Sequence, residues 1–351
     1  MRITFVCDTM DSGGAERVIS SLANSFSEFG HEISIIMLAK RANGSFYKLS
    51  NDIHLISLTS DLAKDPSFFK KARLLKKQII STKPDVVISF LSYVCIYTWW
   101  ALRGTNVPYI VSERNDPNSR GKVKQSLLNK SFKKSVGCVF QTNDAKNWYK
   151  KICNNKSIVI YNPVNLTFMP NHLVKPKKQV LYVGRFSEQK NCQLLVKAFL
   201  KFHDECRDYY LTMYGDGSQK EELITLVKKS NAKEFIKILP SSKTWQKDEF
   251  DSAMFVLPSK FEGMPNVLAE ALCLGIPSVS TDCPIGGPKE LKQLFPELLV
   301  LSNGQTIDSL VDSMEHAVLI KHDKSRIPDD LDKSFIANKW LNFIQERIAK
   351  K

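Results

Sequence analysis

Short apolar runs alternate with longer amphipathic stretches along the whole chain, and few folds accommodate that pattern. In the first half the apolar runs fall at residues 3–7, 33–38, 53–58, 86–90, 109–111, 138–141 and 158–161. In the second half they fall at 180–183, 210–214, 236–239, 254–257, 278–280 and 298–301. Segments of helical length with polar faces lie between most of them, among them 192–206, 218–230, 265–274 and 306–320. Short runs of this kind are strands buried on both faces, and strands that alternate with helices build parallel sheets covered on both sides. The predicted fold class is α/β, with two doubly wound, Rossmann-like units.

The pattern breaks once. Residues 162–178 hold Pro163, Pro170 and Pro176 with little periodicity, which reads as an interdomain connection. The expected organisation is an N-terminal domain over 1–165, a linker over 166–175 and a C-terminal domain over 176–330. A last helix is expected over 334–350. A length of 351 residues suits two domains. Doubly wound sheets bind ligands at the carboxyl ends of their strands, so two facing units imply a cleft between them.

Charge separates the halves. The net charge is +14; residues 1–175 hold 25 Lys/Arg against 12 Asp/Glu, a balance of +13, and residues 176–351 hold 25 against 24, a balance of +1. Basic clusters lie at 70–77, 122–134 and 146–156, and the stretch 68–80 is a basic amphipathic helix. An anionic surface or an anionic acceptor answers such an excess, with an ordinary solvated helix over the sheet as the plainer reading of 68–80. Residues 86–102 carry no charge, but two serines, a threonine and the Pro84-Asp85 lead-in favour a buried strand over 86–90 followed by a helix, not a membrane span. The opening residues 1–8 read as a strand and not a signal peptide. Eight cysteines without a CxxC pair, and six histidines outside any cluster, argue against a zinc site or a disulfide framework and fit a reducing cytosol.

The most specific chemistry sits at residues 258–277. The run 254–257 enters a polar turn containing Glu262, Gly263, Met264 and Pro265, and a short apolar helix with Glu270 follows. Pro265 suits a first helical position. The start of that helix offers unpaired N–H groups and the positive end of a dipole, which attract a phosphate. Glu270 lies roughly 7 Å along the axis from the helix start. Two carboxylates flanking such a point can grip hydroxyls at both ends of a nucleotide sugar. The plain alternative makes Glu262 a helix cap and Glu270 a solvated residue.

The stretch Phe261-Glu262-Gly263-Met264-Pro265-Asn266-Val267-Leu268-Ala269-Glu270-Ala271 resembles the Glu-(seven residues)-Glu motif of the retaining nucleotide-sugar glycosyltransferases of family 4. Three further turns are similar to family elements. Gly13-Gly14-Ala15-Glu16-Arg17 follows the first strand. It lacks the GxGxxG spacing of a nicotinamide site. Gly184-Arg185 with Lys190-Asn191 follows the strand over 180–183, and Tyr214-Gly215-Asp216-Gly217-Ser218 follows the next, with structural glycines. The turn 281–291 also resembles a family turn and is read as architectural.

The resemblance implies a GT-B fold, with the final helix packing back on the N-terminal domain. It implies that Arg185 and Lys190 hold the diphosphate, Glu262 orients the donor sugar hydroxyls and Glu270 the ribose. Gly13, Gly14, Gly184, Gly263, Met264, Pro265, Asn266 and Val267 would lie at the substrate, and Leu239 and Pro240 at the base. Many relatives place a histidine near Ser112-Glu113-Arg114-Asn115-Asp116-Pro117, where this chain has none. Arg114 or Asn115 is left to substitute, with a structural salt bridge of Glu113 or Arg114 equally open. The only Asp-x-Asp, Asp330-Leu331-Asp332, precedes the final helix and is read as a cap.

The implied function is metal-independent, retaining transfer of a hexose or N-acetylhexosamine from a UDP-sugar. The acceptor would be an undecaprenyl-diphosphate-linked saccharide in O-antigen, capsule or related glycan assembly. No cofactor is expected. The expected partners are the nucleotide-sugar donor, the lipid-linked saccharide acceptor and an anionic inner-membrane surface, with no nucleic acid. The expected location is cytoplasmic and peripheral on the inner face of the plasma membrane. The alternatives are a nucleotide-sugar 2-epimerase, which needs no acceptor, a phosphorylase, for which no pyridoxal phosphate lysine site is evident, and a non-enzymatic anionic-surface-binding module.

Overall fold

The computed structural model describes residues 1–11, 13–39, 44–58, 67–114, 117, 120–170 and 175–350. The chain divides into two compact units, Met1–Pro163 with Asp329–Lys351, and Val164–Pro328. The first unit runs β1 (Arg2–Cys7), α1 (Gly14–Glu28), β2 (Glu32–Met37), β3 (His54–Ser57), α2 (Phe68–Ser81), β4 (Val86–Phe90), α3 (Ser92–Ala101), β5 (Tyr109–Ser112), α4 (Lys122–Lys134), β6 (Gly137–Phe140), α5 (Asn143–Trp148), α6 (Lys150–Cys153) and β7 (Ser157–Val159). The second runs β8 (Lys177–Val183), α7 (Cys192–Glu205), β9 (Tyr210–Tyr214), α8 (Lys220–Lys229), β10 (Ile236–Leu239), α9 (Trp245–Asp248), β11 (Ser252–Leu257), α10 (Asn266–Cys273), β12 (Ser278–Thr281), α11 (Gly287–Leu294), β13 (Leu299–Ser302) and α12 (Ile307–Val318). A last helix, α13 (Lys333–Ala349), belongs to the first unit.

Every apolar run singled out above is a strand. The first sheet has the order β3-β2-β1-β4-β5-β6-β7 and the second β10-β9-β8-β11-β12-β13, with all pairings parallel. Strand residues such as Phe5, Ile35, Ile88, Leu181 and Val256 are fully buried, as central strands covered by helices require. The uncharged stretch over 86–102 is β4 followed by α3. No helix of the described residues is long and apolar enough to cross a membrane.

The first sheet reverses its strand order between β1 and β4, and the second between β8 and β11. Right-handed crossovers then place the helices of the two winding directions on opposite faces. In the first unit α2 packs on α3 and α3 on α4, while α1 packs on α13. Helix α13 seals one face: Trp340 is buried and stacks on Phe90 at 5.9 Å, and Phe90 meets Phe5 at 6.1 Å. Asp332 caps this helix, accepting hydrogen bonds from the amides of Ser334 and Phe335 at 2.8 and 3.0 Å, so the expected capping role of the Asp-x-Asp stands.

Candidate active site

Ligands of open parallel sheets bind outside the carboxyl ends of the strands where the strand order reverses. In the second unit that point lies between β8 and β11. The turn after β8 carries Gly184, Arg185 and Lys190; the turn after β11 carries Ser259, Glu262 and the start of α10. The two turns are stitched by one backbone and one side-chain hydrogen bond. The Lys260 amide donates to the Gln189 carbonyl at 2.8 Å, and the Gln189 side-chain amide donates to the Phe261 carbonyl at 3.0 Å.

That stitching brings the predicted cation and carboxylate together. Lys190 Nζ lies 2.5 Å from Glu262 Oε1, with side-chain exposures of 18% and 8%. The Ser259 hydroxyl donates to the same oxygen at 2.6 Å, and the Ser259 carbonyl accepts the Thr281 hydroxyl at 2.5 Å. Glu262 is therefore held on one oxygen by two donors and is not a helix cap. Arg185 is exposed and, among the described residues, its guanidinium has no hydrogen bond or ion pair. Its carbonyl accepts the Tyr182 hydroxyl at 3.1 Å. Burial pushes the Tyr182 phenol pKa well up, and Arg185 partly opposes it.

Helix α10 begins one residue later than the sequence suggested. Pro265 is the N-cap, with ψ of 103°, and Asn266 is the first helical residue. The reason is local: proline fixes its own φ but leaves ψ free, and the extended ψ turns the chain out of the helix. The amides at the start of α10 have no intrahelical acceptor. Met264 and Pro265 are buried, and Asn266 and Val267 are half-buried. Glu270 is 1% exposed, so it is no solvated helix residue. The Gln246 side-chain amide donates to it at 2.9 Å, and the Gln246 carbonyl oxygen accepts both the amide and the hydroxyl of Thr167 at 2.8 Å.

Close backbone contacts support both turns. An added Cβ at Gly287 would sit 1.4 Å from the Gly263 carbonyl oxygen, so α11 can start against the Glu262 turn only with glycine there. The Glu262 amide also donates to the Pro284 carbonyl at 3.2 Å. The glycines after β9 do similar work: a Cβ at Gly215 would lie 2.1 Å from the Gly184 carbonyl oxygen. Leu239 ends β10, two strands from β8, with Pro240 following it, and the Leu239 carbonyl accepts the Gly215 amide at 3.0 Å. Asp216 accepts from Ser241 at 2.8 Å and pairs with Lys220 at 2.6 Å. Lys220 and Ser241 together hold the Asp216 carboxyl pKa below the usual range.

In the first unit Gly13 is the N-cap of α1 and Gly14 its first residue. The Glu16 carboxylate folds over Gly13, where a Cβ would meet it at 2.0 Å, and the Tyr47 hydroxyl donates to the Gly13 carbonyl at 3.1 Å. The turn after β5 holds a buried polar network. Glu113 pairs with Arg120 at 2.9 Å and accepts the Ser92 hydroxyl at 3.2 Å. Arg114 donates to Ser112 at 3.1 Å and to Asn162, and its guanidinium covers the Phe90 ring at 4.6 Å. Asn162 also accepts from Gln141 at 2.7 Å. Burial lowers the Arg114 pKa, with Glu113 opposing. The structural salt bridge expected of Glu113 or Arg114 is present at Glu113. Asn115, the other candidate, lies outside the described residues.

Sequence reasoning missed Ser259, Gln246, Asn162 and Gln141. Ser259 had a readable signal, standing three residues before Glu262 in the same turn. The others act across 21 to 81 residues of sequence and leave no local trace.

Comparison with known proteins matches this architecture. Residues 12–168 match the family described as Glycosyltransferase Family 4, and residues 167–327 match Glycosyl transferases group 1. The chain is 28% identical over 99% of its length, and 99% of the other chain, to an α-1,4-N-acetyl-D-galactosaminyltransferase of Campylobacter jejuni whose name gives a diphospho-undecaprenol-linked saccharide as acceptor. It is 24% identical, over 98% of this chain and 97% of the other, to the lipopolysaccharide 1,6-galactosyltransferase of Salmonella typhimurium. Among solved structures it resembles Anabaena HepE in complex with UDP, with a TM-score of 0.74 at 15% identity over 100% of this chain and 97% of that one. The epimerase and non-enzymatic alternatives are not favoured by these relatives. From Gly13 to the turn at Gly287, motifs, topology and relatives agree: the chain belongs to the family 4 glycosyltransferases of GT-B fold.

Proposed function

We propose that this transferase moves a hexose or N-acetylhexosamine from a UDP-sugar, with retention and without a metal ion, to an undecaprenyl-diphosphate-linked saccharide in surface-glycan assembly. The observation that carries the reading is the Lys190–Glu262 pair beside the start of α10, at the reversal point of the second sheet. Phosphates favour such a helix start, and Lys190 and Arg185 supply the positive charge that a leaving diphosphate needs. That charge takes the place of a metal ion. Glu262, fixed on one oxygen, presents the other to donor sugar hydroxyls, and Glu270 serves the ribose. Leu239 and Pro240 meet the base, while Gly13, Gly14 and Arg114 belong to the acceptor domain. The C1–O bond to the diphosphate breaks as an oxocarbenium-like centre forms. The acceptor hydroxyl attacks on the same face and passes its proton to the departing diphosphate oxygen, so no enzymic base is required.

The acceptor assignment is supported by the activity for which the Campylobacter relative is named and by the cationic first unit, and UDP by the HepE complex. A lipid-linked acceptor places the protein at the inner face of the plasma membrane. A panel of UDP-sugars incubated with an undecaprenyl-diphosphate oligosaccharide tests the reading. One sugar should give a new α-linked product in the presence of a chelator. Product without acceptor, an inverted anomer, or no product with any UDP-sugar contradicts it.

A further inference from the structure

Three helices on one face of the first sheet form a surface that the transfer chemistry does not use. Helices α2 and α4 each carry five lysine or arginine residues and no acid. Helix α3, which packs against both, carries no charge. Its end is aromatic. Phe69 of α2 is 68% exposed and sits edge-on to Trp100 at 5.5 Å. The Arg103 guanidinium lies 4.5 Å over Trp100 and 5.8 Å over Trp99. Along α2, Phe69, Arg73, Lys77 and Ile80 are exposed at helical spacing, so one outward stripe has apolar ends and a cationic middle.

We propose that this face docks on an anionic lipid bilayer, with Phe69 and the Trp99–Trp100 pair entering the headgroup region and the cations of α2 and α4 meeting lipid phosphates. The charge is complementary, and tryptophan beside arginine is the chemistry of a membrane interface. A nucleic acid fits less well, because Arg103 already covers the indole faces on which bases would stack. The assignment extends the lipid-linked acceptor reading and takes its biological sense from it; the binding itself is tested separately.

The full chain is sedimented with phosphatidylcholine vesicles with and without phosphatidylglycerol. The expected result is binding that requires phosphatidylglycerol and weakens as salt screens the charges. K70Q/R73Q/K77Q removes three exposed cations and should cut partitioning about a hundredfold, at roughly a factor of five per cation. F69S should weaken it as well, and K228Q/K229Q on the second unit should not. Equal binding to neutral vesicles, an unchanged triple variant with a native melting curve, or binding of duplex DNA in place of vesicles overturns the proposal. Transfer to a water-soluble short-prenyl acceptor, assayed in the same variants, should stay at the wild-type rate. Absence of any transfer by the wild type would remove the acceptor reading and leave the vesicle result to decide the surface.

Discussion

Lys190 Nζ lies 2.5 Å from Glu262 Oε1, and the same oxygen takes the Ser259 hydroxyl at 2.6 Å. These groups come from two turns joined by hydrogen bonds through Gln189, so the fold itself holds the pair together. Preorganised charge is the largest contributor to many enzymic rates. Lys190→Ala or Glu262→Ala should therefore lower kcat by about two to three orders of magnitude. Each single change also leaves a mostly buried charge without its partner, at a cost of up to about 3 kcal/mol. The double variant should lose less stability than the two singles added together. Steady-state rates and denaturant midpoints check both statements; near-normal rates in both single variants contradict the assigned roles.

Ser259 should act as a positioning residue. A hydrogen bond to a charged group contributes about 1.5–3 kcal/mol. Ser259→Ala should accordingly lower kcat/KM by about tenfold to a hundredfold. The informative comparison is with stability. A variant that melts earlier but transfers at the wild-type rate would make the serine a scaffold contact only.

Gly287 sets the position of the Glu262 turn through a close backbone contact. Its missing Cβ leaves room for the Gly263 carbonyl, so Gly287→Ala forces two backbone segments apart. Overpacking of this kind costs about 1–3 kcal/mol, and here the displaced segment carries Glu262. Activity should fall together with the denaturant midpoint. Gly121→Ser, where a Cβ would meet nothing within 4 Å, should leave both unchanged.

The strands were legible because each is a short, largely apolar run between segments of helical length, whereas the strand order and its reversal points came only from the structure. Lys190 and Glu262 were singled out from two separate turns, and the structure brings them together. What the sequence did not carry is what holds them. Gln246 reaches Glu270 from α9, and Gly263 meets Gly287 from two turns that are far apart along the chain. Such contacts depend on how strands stack side by side, which periodicity does not encode. Pro265 was misplaced by one position because its ring fixes φ while the outcome turned on ψ.

Stability should depend on pH through His322. Burial lowers its pKa below 6.5, against smaller opposing effects from the backbone at Ser252 and Ala253 and from Asp251. Its Nε2 is buried without a partner. As pH falls below 6.5 the unfolded chain takes up a proton that the folded imidazole resists, so stability is complete above that pH and declines between it and the lower folded value. Melting temperatures recorded from neutral to mildly acidic pH should fall for the wild type and fall less for His322→Gln. Parallel curves would exclude His322 as the cause.

If the proposed function holds, the second unit takes a nucleoside diphosphate between the Lys190 turn and the start of α10. Calorimetric titration with UDP measures this without any knowledge of sugar or acceptor. Saturable binding is expected for the wild type, at least about tenfold weaker in Lys190→Ala, the cost of one charge-assisted contact. No measurable affinity for any nucleoside diphosphate, or the same affinity in that variant, would contradict it.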